Sequence, residues 1–369
     1  MLVICLLVGY VSTAIPSEID EQTLRDQADR EEERLLRTGK VHEEPLLDEY
    51  LTAVTASLMP GADAAPVRVT VLRDVAPGAF VLPNGRLFIH TGLLARLDSE
   101  AQLAVILARQ TVHLSERHAL RVVRDGSEAA PSAAALFPAQ GLPLTYLAAF
   151  TGYGRDLERD TDARSLALAM QAGYDPREAP RAFERLRQEA GGSSRLDGYY
   201  LDNRDRLDER LAGARKWLQA KSPDMSFDSL ATRGDAYALR TRVALRENAA
   251  LEFRAGRFGP GRRELDRVLA LTPTDPVAHL YQGDLLRLEA QRTKRPEDRP
   301  ALVQQAREAY ERALALDPAF PDPLRQLGYL YFQIRDNVRA RDAFERYLAL
   351  RPDGPDAPRV KEYLIELER

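Results

Sequence analysis

Few side chains in this sequence could do metal or acid–base chemistry. It has five histidines (His42, His90, His113, His118 and His279) and one cysteine, Cys5. A single cysteine permits neither an intrachain disulfide nor a cysteine-based zinc site. His42, His90 and His279 stand isolated, and a lone His113 reads first as a core histidine. Asp160 and Asp162 read as helix-surface or supporting acids, not as an acid pair. GAFVLPNG lacks the lysine and the following helix start of a phosphate loop. The segments that need explaining are Arg109-Gln110-Thr111-Val112-His113 and the acidic stretch Glu158 to Asp162.

The elements that must position them follow from periodicity. Leu46, Leu47, Tyr50, Leu51, Val54 and Leu58 share one face of a helix spanning 44–58. VRVTVLR (67–73) alternates and is valine-rich, which predicts a strand. AFVLPNGRLFIHTG gives two short strands around the turn Pro83-Asn84-Gly85. From Ser99 to Val123 the period is helical, with Ser99 and Glu100 suited to its start. Further helices are expected over 145–172, 177–190 and 205–220, the first stopping at Gly173 before Asp175-Pro176. The charged run 17–40 predicts a solvated helix with mixed-sign i,i+4 pairs. The apolar run 129–150, broken by three prolines and Gly141, reads as a loop with helical pieces.

At 369 residues the chain is too long for one ordinary core, so two domains are expected. The formal net charge of -4 offers no basic surface for a phosphate backbone, so nucleic acid is not an expected partner. MLVICLLVGYVSTA has the shape of a signal-peptide apolar region with a small-residue site at Ser12-Thr13-Ala14, without a basic start. A lipoprotein site at Cys5 is the other reading. The stretch is too short to span a bilayer, and no later segment does so, though membrane association stays open. The chain is therefore expected to be exported, to the periplasm or cell envelope.

After about residue 225 the sequence repeats. Pro273, Pro318 and Pro352 close three similar helices, the last two 34 residues apart. The first interval holds a polar insertion around QRTKRPEDRPA. Leu324, Leu327, Gly328, Tyr331, Ala340 and Phe344 occupy the small and large positions of a tetratricopeptide unit, as do Gly283, Leu286, Ala306, Tyr310 and Ala313. Ala249, Gly256, Gly261, Leu265 and Val268 mark a weaker first unit, and residues 355–369 a capping helix.

Two long segments, AFVLPNGRLFIHTGLLARLDSEAQLAVILARQTVHLSERH and YGRDLERDTDARSLALAMQAGYDP, carry a resemblance covering 67–215. They resemble the HtpX-like and CAAX-prenyl-protease-like zinc metallopeptidases (peptidase family M, number forty-eight), in the periplasmic form with a tetratricopeptide tail. The resemblance implies an α+β, mainly α fold: a gluzincin-like metallopeptidase domain with a small β-sheet, then an all-α repeat solenoid. The expected division is a signal peptide (1–15), a charged helical segment (16–43), the metallopeptidase-like domain (44–222) and the repeat domain (223–369). In the family, H-E-x-x-H sets two zinc ligands one turn apart with a general-base glutamate between them. Here Arg109 stands at the first ligand, Gln110 at the base and His113 at the second ligand. Glu158 keeps the third ligand position, Asp162 a supporting acid, and Arg204 replaces a later family histidine. His118 matches a position without a catalytic role.

A catalytic zinc needs three protein ligands and an open position. Loss of a general base alone costs about 10²–10⁴ in rate. The resemblance with these substitutions implies an inactive homologue with no catalytic residue and no cofactor, acting as a protein-binding or chaperone-like adaptor. The alternative is an active zinc metalloendopeptidase with a rearranged ligand set, in which His113 and Glu158 would serve, engaged in envelope protein quality control. Arg109 is expected to pair with Glu158 in the metal's place; otherwise Glu158 faces solvent and Arg109 points away. GRLFIHTG corresponds to the family's substrate-pairing edge strand, or is plain sheet core. The repeat groove is expected to present Arg246, Phe253, Arg254, Asp284, Arg287, Arg325, Tyr329 and Phe332 to a protein or peptide partner.

Overall fold

The computed structural model describes residues 21–59, 67–125, 155–190, 204–223 and 225–368. The expected signal segment, residues 16–20, the loop 129–150 and the start of the helix expected from 145 lie outside these residues. The structure is mainly helical with one small sheet.

Three strands follow the helix α2 (Pro45–Ser57): β1 (Arg68–Leu72), β2 (Ala79–Val81) and β3 (Arg86–His90). Their order is β1-β3-β2, with β3 parallel to β1 and antiparallel to β2. GRLFIHTG therefore supplies the central strand and not an edge; β1 and β2 flank it among the described residues. The strand alternation sorts side chains to two faces. Val69, Val71, Ala79, Leu87 and Ile89 enter the main core. Leu72, Phe80, Leu82 and Phe88 face the other way.

That second face is covered by α1 (Glu21–Leu36). The charged N-terminal helix is thus docked rather than wholly solvated. Its Leu24 and Ala28 are buried, and Glu32 binds the Arg86 guanidinium and Asn84. On its outer side the anticipated i,i+4 pairs Glu21–Arg25 and Glu33–Arg37 form at 2.9 and 3.0 Å.

After β3 come α3 (Thr91–Arg96), α4 (Glu100–Ser115) and α5 (His118–Asp125). The six-residue α3 falls below the length at which periodicity is readable. The helix expected over 99–123 is broken at Arg117, whose φ of 52° ends α4. Ser99 caps α4, its hydroxyl accepting from the Gln102 amide at 3.2 Å. Residues 100–113 are all buried. Polar partners make this tolerable: Glu100 accepts from Tyr50, Tyr174 and Arg233, and Gln102 donates to Glu178. α6 (Arg155–Gln171), α7 (Glu178–Glu189) and α8 (Arg204–Lys221) pack around it.

The helical hairpins that follow are α9 (Gly234–Arg254) with α10 (Phe258–Leu271), α11 (Pro276–Arg292) with α12 (Arg299–Leu316), and α13 (Pro321–Gln333) with α14 (Asn337–Leu350); α15 (Ala357–Glu366) caps the array. The first hairpin is built into the metallopeptidase-like core. Tyr237 and Ala244 belong to that core, and Ala95 of α3 packs with Leu245, Ala249 and Phe253. Arg267 of α10 donates to the carbonyls of Ala95 and Leu97, at 2.6 and 3.0 Å, capping the end of α3.

Within the second and third hairpins the glycines are required by close approach. A Cβ on Gly283 would lie 2.4 Å from the Tyr310 ring, and one on Gly328 2.4 Å from that of Phe344. G328A gains about 1 kcal/mol of helix propensity but overpacks at about 1–3 kcal/mol. Urea denaturation of this variant is expected to show a net loss near 1 kcal/mol; a gain would contradict the packing described.

Candidate functional site

The site lies where α4, α6 and α8 meet. Arg109 sits on α4, Glu158 and Asp162 are one turn apart on α6, and Arg210 comes from α8. The i,i+4 spacing puts both carboxylates on one helix face. Arg109 forms an ion pair with Glu158, and its Nε donates to Asp162 Oδ1 at 3.0 Å. From the other side, the Arg210 Nη2 lies 3.4 Å from Glu158 Oε2 and its Nε 3.7 Å from Asp162 Oδ2. All four side chains are at most 16% exposed. Two cations and two anions close on each other, so the cluster is internally neutral.

Arg204 is not part of this arrangement. It is exposed at the start of α8, and the cation that enters the site is Arg210, nearly two turns further along. Helical geometry separates the two faces; six residues rotate a side chain by about 240°. Asp160 points outward to Arg164, at 2.8 Å.

Gln110 is buried on α4. His113, one turn beyond Arg109, has its Nδ1 2.8 Å from Nδ1 of His118, so one ring donates and the other accepts. Burial lowers the His113 pKa well below the usual imidazole value, with the charges of Arg109 and Arg210 and the neighbouring His118 acting the same way. Burial also brings His118 down to about 4, with Arg121 adding to the effect. Both rings are neutral at pH 7. A cleft of about 340 Å³ opens beside His113, between α1, the β2–β3 turn and the end of α4, with Val81, Leu82, Leu114 and Leu120 in its wall.

The remaining histidines are accounted for structurally. His42 meets Glu44 at 3.1 Å, His90 the Ala76 carbonyl at 3.2 Å, and His279 the Pro273 carbonyl at 3.0 Å.

A zinc ion of the kind this fold accommodates needs three donors converging on one point. His113 and Glu158 are the two at the expected positions, but the carboxylate of Glu158 is engaged by two guanidiniums. Among the described residues no three His, Cys, Asp or Glu side chains converge as a metal-holding group. The donor set among the described residues does not fit a three-ligand zinc centre.

The repeat residues divide. Phe253 is buried, filling the space left by Gly261, where a Cβ would stand 2.3 Å from its ring. It is core, not groove. Tyr329 and Phe332 lie against Tyr363 of α15, ring centroids 5.3 and 4.8 Å away, so the cap covers them. Arg246 pairs with Asp275 at 2.7 Å, Arg287 lies 3.6 Å from Asp284, and Arg325 binds Asp356 and Asp322. Arg254 is exposed.

With this geometry in view, the sequence relationships are specific. Residues 45–226 match Peptidase family M48, and residues 299–364 match a tetratricopeptide repeat. The chain carries an M48 peptidase domain followed by tetratricopeptide repeats. The beta-barrel assembly-enhancing protease of Escherichia coli strain K12 is 26% identical over 198 residues, 49% of this chain and 40% of that one. A Vibrio cholerae counterpart is 26% identical over 263 residues, 64% of this chain and 52% of its own. The mitochondrial metalloendopeptidase OMA1 of Schizosaccharomyces pombe is 34% identical over 122 residues, 31% of this chain and 36% of that protein. This chain thus spans 40% to 52% of the length of the two bacterial relatives.

Removing one partner from a buried ion cluster leaves uncompensated charge, at about 3–5 kcal/mol. E158Q is therefore expected to lose stability on that scale in urea denaturation. Replacing Arg109 and Glu158 together by leucine is expected to cost less than either single replacement. Additive losses in that double-mutant cycle would show that the pair is not coupled.

Proposed function

We propose that this chain is a catalytically inactive M48 homologue that holds a protein or peptide partner without cutting it. The observation that carries this reading is the engagement of Glu158 and Asp162 by Arg109 and Arg210. The two guanidiniums supply the positive charge that would otherwise come from a dication, so the carboxylates need no metal. Gln110 stands where the family's base would be and has no basicity at neutral pH. His113 is neutral but lies beside cations that discourage a further positive ion. An active enzyme with a rearranged ligand set would need a third donor and a new base.

Binding surfaces remain. The cleft beside His113 has an apolar wall and adjoins the edge strand β2, a setting in which an extended chain could add to the sheet. The repeats supply a second surface, with Arg246, Arg254, Asp284, Arg287 and Arg325 on the first helices of their hairpins. The naming of relatives as beta-barrel assembly-enhancing proteases supports a setting in the cell envelope for this chain, with an unfolded or assembling envelope protein as the proposed partner. Export and a role in quality control belong to the same proposal.

The test incubates purified protein with a urea-denatured outer-membrane β-barrel protein, diluted into buffer with and without added zinc. The reading predicts co-elution of the intact partner and no fragments in either condition. It also predicts at least about tenfold weaker retention, about 1.4 kcal/mol, when Arg254 and Arg287 are both changed to glutamate. Fragments that appear with zinc and vanish with a chelator would overturn the non-cutting reading.

A further inference from the structure

The helix α1 forms one wall of the cleft beside His113. Its first turns contribute Glu21, Leu24 and Arg25 to the lining. Of its sixteen residues four are buried, and two of those, Glu31 and Glu32, are carboxylates. Leu24 and Ala28 are its only buried apolar side chains, and they pack with Phe80, Leu82 and Phe88 of the sheet. Polar contacts add to these. Glu32 binds the Arg86 guanidinium, and the Asn84 amide donates to Asp29 and to Glu32, each at 2.8 Å. At the cleft end, Arg117 and Glu21 make a surface pair at 3.0 Å, of a kind that contributes little. The seating is imperfect as well: Gln27 Oε1 is buried with no hydrogen bond among the described residues, which costs stability.

Among the described residues, no main-chain hydrogen bond joins α1 to another element. Main-chain anchoring begins directly after it. The Lys40 carbonyl accepts from the Arg73 amide at 2.7 Å, and the His42 amide donates to the Val71 carbonyl at 2.9 Å, fixing this stretch to β1. Between helix and anchor stands Gly39, with a φ of 69° and nothing within 4 Å of where a Cβ would lie. A glycine in the left-handed region with open space around it can absorb a large backbone rotation. The arrangement is a lever with its pivot at Gly39 and its far end, Glu21, at the cleft. The cleft itself, about 340 Å³, lies near the bottom of the range of about 300–1,000 Å³ that serves small molecules. A protein chain lying along β2 needs more room, and lifting α1 supplies it.

We propose that α1 is a hinged gate on the cleft: it lifts about Gly39 to admit an extended chain to the edge of the sheet, and it stays displaced while that chain is bound. This deepens the binding reading and rests on it for the identity of the occupant. Lifting takes Leu24 and Ala28 off Phe80, Leu82 and Phe88, so apolar side chains of the entering segment have a surface on which to replace them. Its acidic side chains can take over the Asn84 amide and the Arg86 guanidinium as Asp29 and Glu32 withdraw. The partner thus binds the open form more tightly than the closed one, which is what a shift toward the open form requires.

Hydrogen exchange on the full chain tests this, with and without the same urea-denatured outer-membrane β-barrel protein. Residues 21–36 are expected to exchange at least about tenfold faster than β1 and β3, through openings that leave the sheet protected, and faster again with the partner bound. N84D sets a third carboxylate against Asp29 and Glu32 and removes two hydrogen bonds. Exchange in 21–36 is then expected to rise about tenfold with the sheet unchanged, and partner association to quicken by a similar factor. Exchange of α1 only in step with the sheet would overturn the gate. So would weaker binding by N84D without faster association, which marks α1 as a fixed wall. Should N84D not fold, the wild-type exchange rates decide. Failure of both proteins to retain the partner would refute the binding reading, while the opening of α1 ahead of the sheet still stands or falls by its exchange.

Discussion

The neutrality of one buried cluster constrains the middle of the peptidase-like domain. Arg109, Glu158, Asp162 and Arg210 come from three helices, and none of the four could be buried alone at tolerable cost. Together they fix how α4, α6 and α8 face each other. Arginine suits the role because its planar fork offers several donors at fixed angles and stays charged under all relevant conditions. A metal ion organises ligands from the same elements by the same electrostatic logic, with two positive charges gathered at a point. Here the two charges are spread over guanidiniums held covalently by the chain, which do not dissociate. The nearby imidazoles follow: burial first, and then neighbouring guanidiniums, keep His113 and His118 neutral, and their Nδ1 atoms share one hydrogen bond.

The second organising feature is the short helix α3. It is wedged between the sheet, α7 and the first repeat hairpin; its Arg96 donates to the Val75 carbonyl on one side, and Arg267 of α10 donates to the Ala95 and Leu97 carbonyls on the other. The first hairpin shares its apolar contacts with the peptidase-like core, while the later hairpins and the cap form a cluster of their own. Any movement of the repeats as a body relative to the domain must therefore break the hydrogen bond from Thr91 to Asn248 or bend the array beyond α10. Toward the C-terminus, Tyr363 closes the aromatic row of Tyr329 and Phe332.

Much of this was legible in the sequence because it depends on local pattern. The valine alternation of 67–73, the Ser99 cap and the proline spacing of the repeats each report on one element, and the structure has those elements. The Gly283 and Gly328 positions were readable for the same reason, since close helix approach leaves a mark at a fixed spacing. What was not legible depends on meetings between elements. Arg210 enters the site instead of Arg204 because of where α8 starts and which face it turns to α6. Phe253 is buried because Gly261 opposite it leaves room, although the same position in the other hairpins, Arg287 and Phe332, stays partly exposed. The break at Arg117 and the central place of β3 likewise follow from packing rather than composition. The docking of α1 could have been suspected from Leu24 and Ala28, which share a helix face within an otherwise charged run.

In the proposed reading, guanidiniums stand in the metal's place. Its most direct test is the zinc content of the purified native chain by elemental analysis, beside that of the R109H/Q110E variant. The account predicts a metal-free native protein, and zinc in the variant once Glu158 is released from Arg109. Stoichiometric zinc in the native protein would contradict it, since the ion would then have to share Glu158 with two cations.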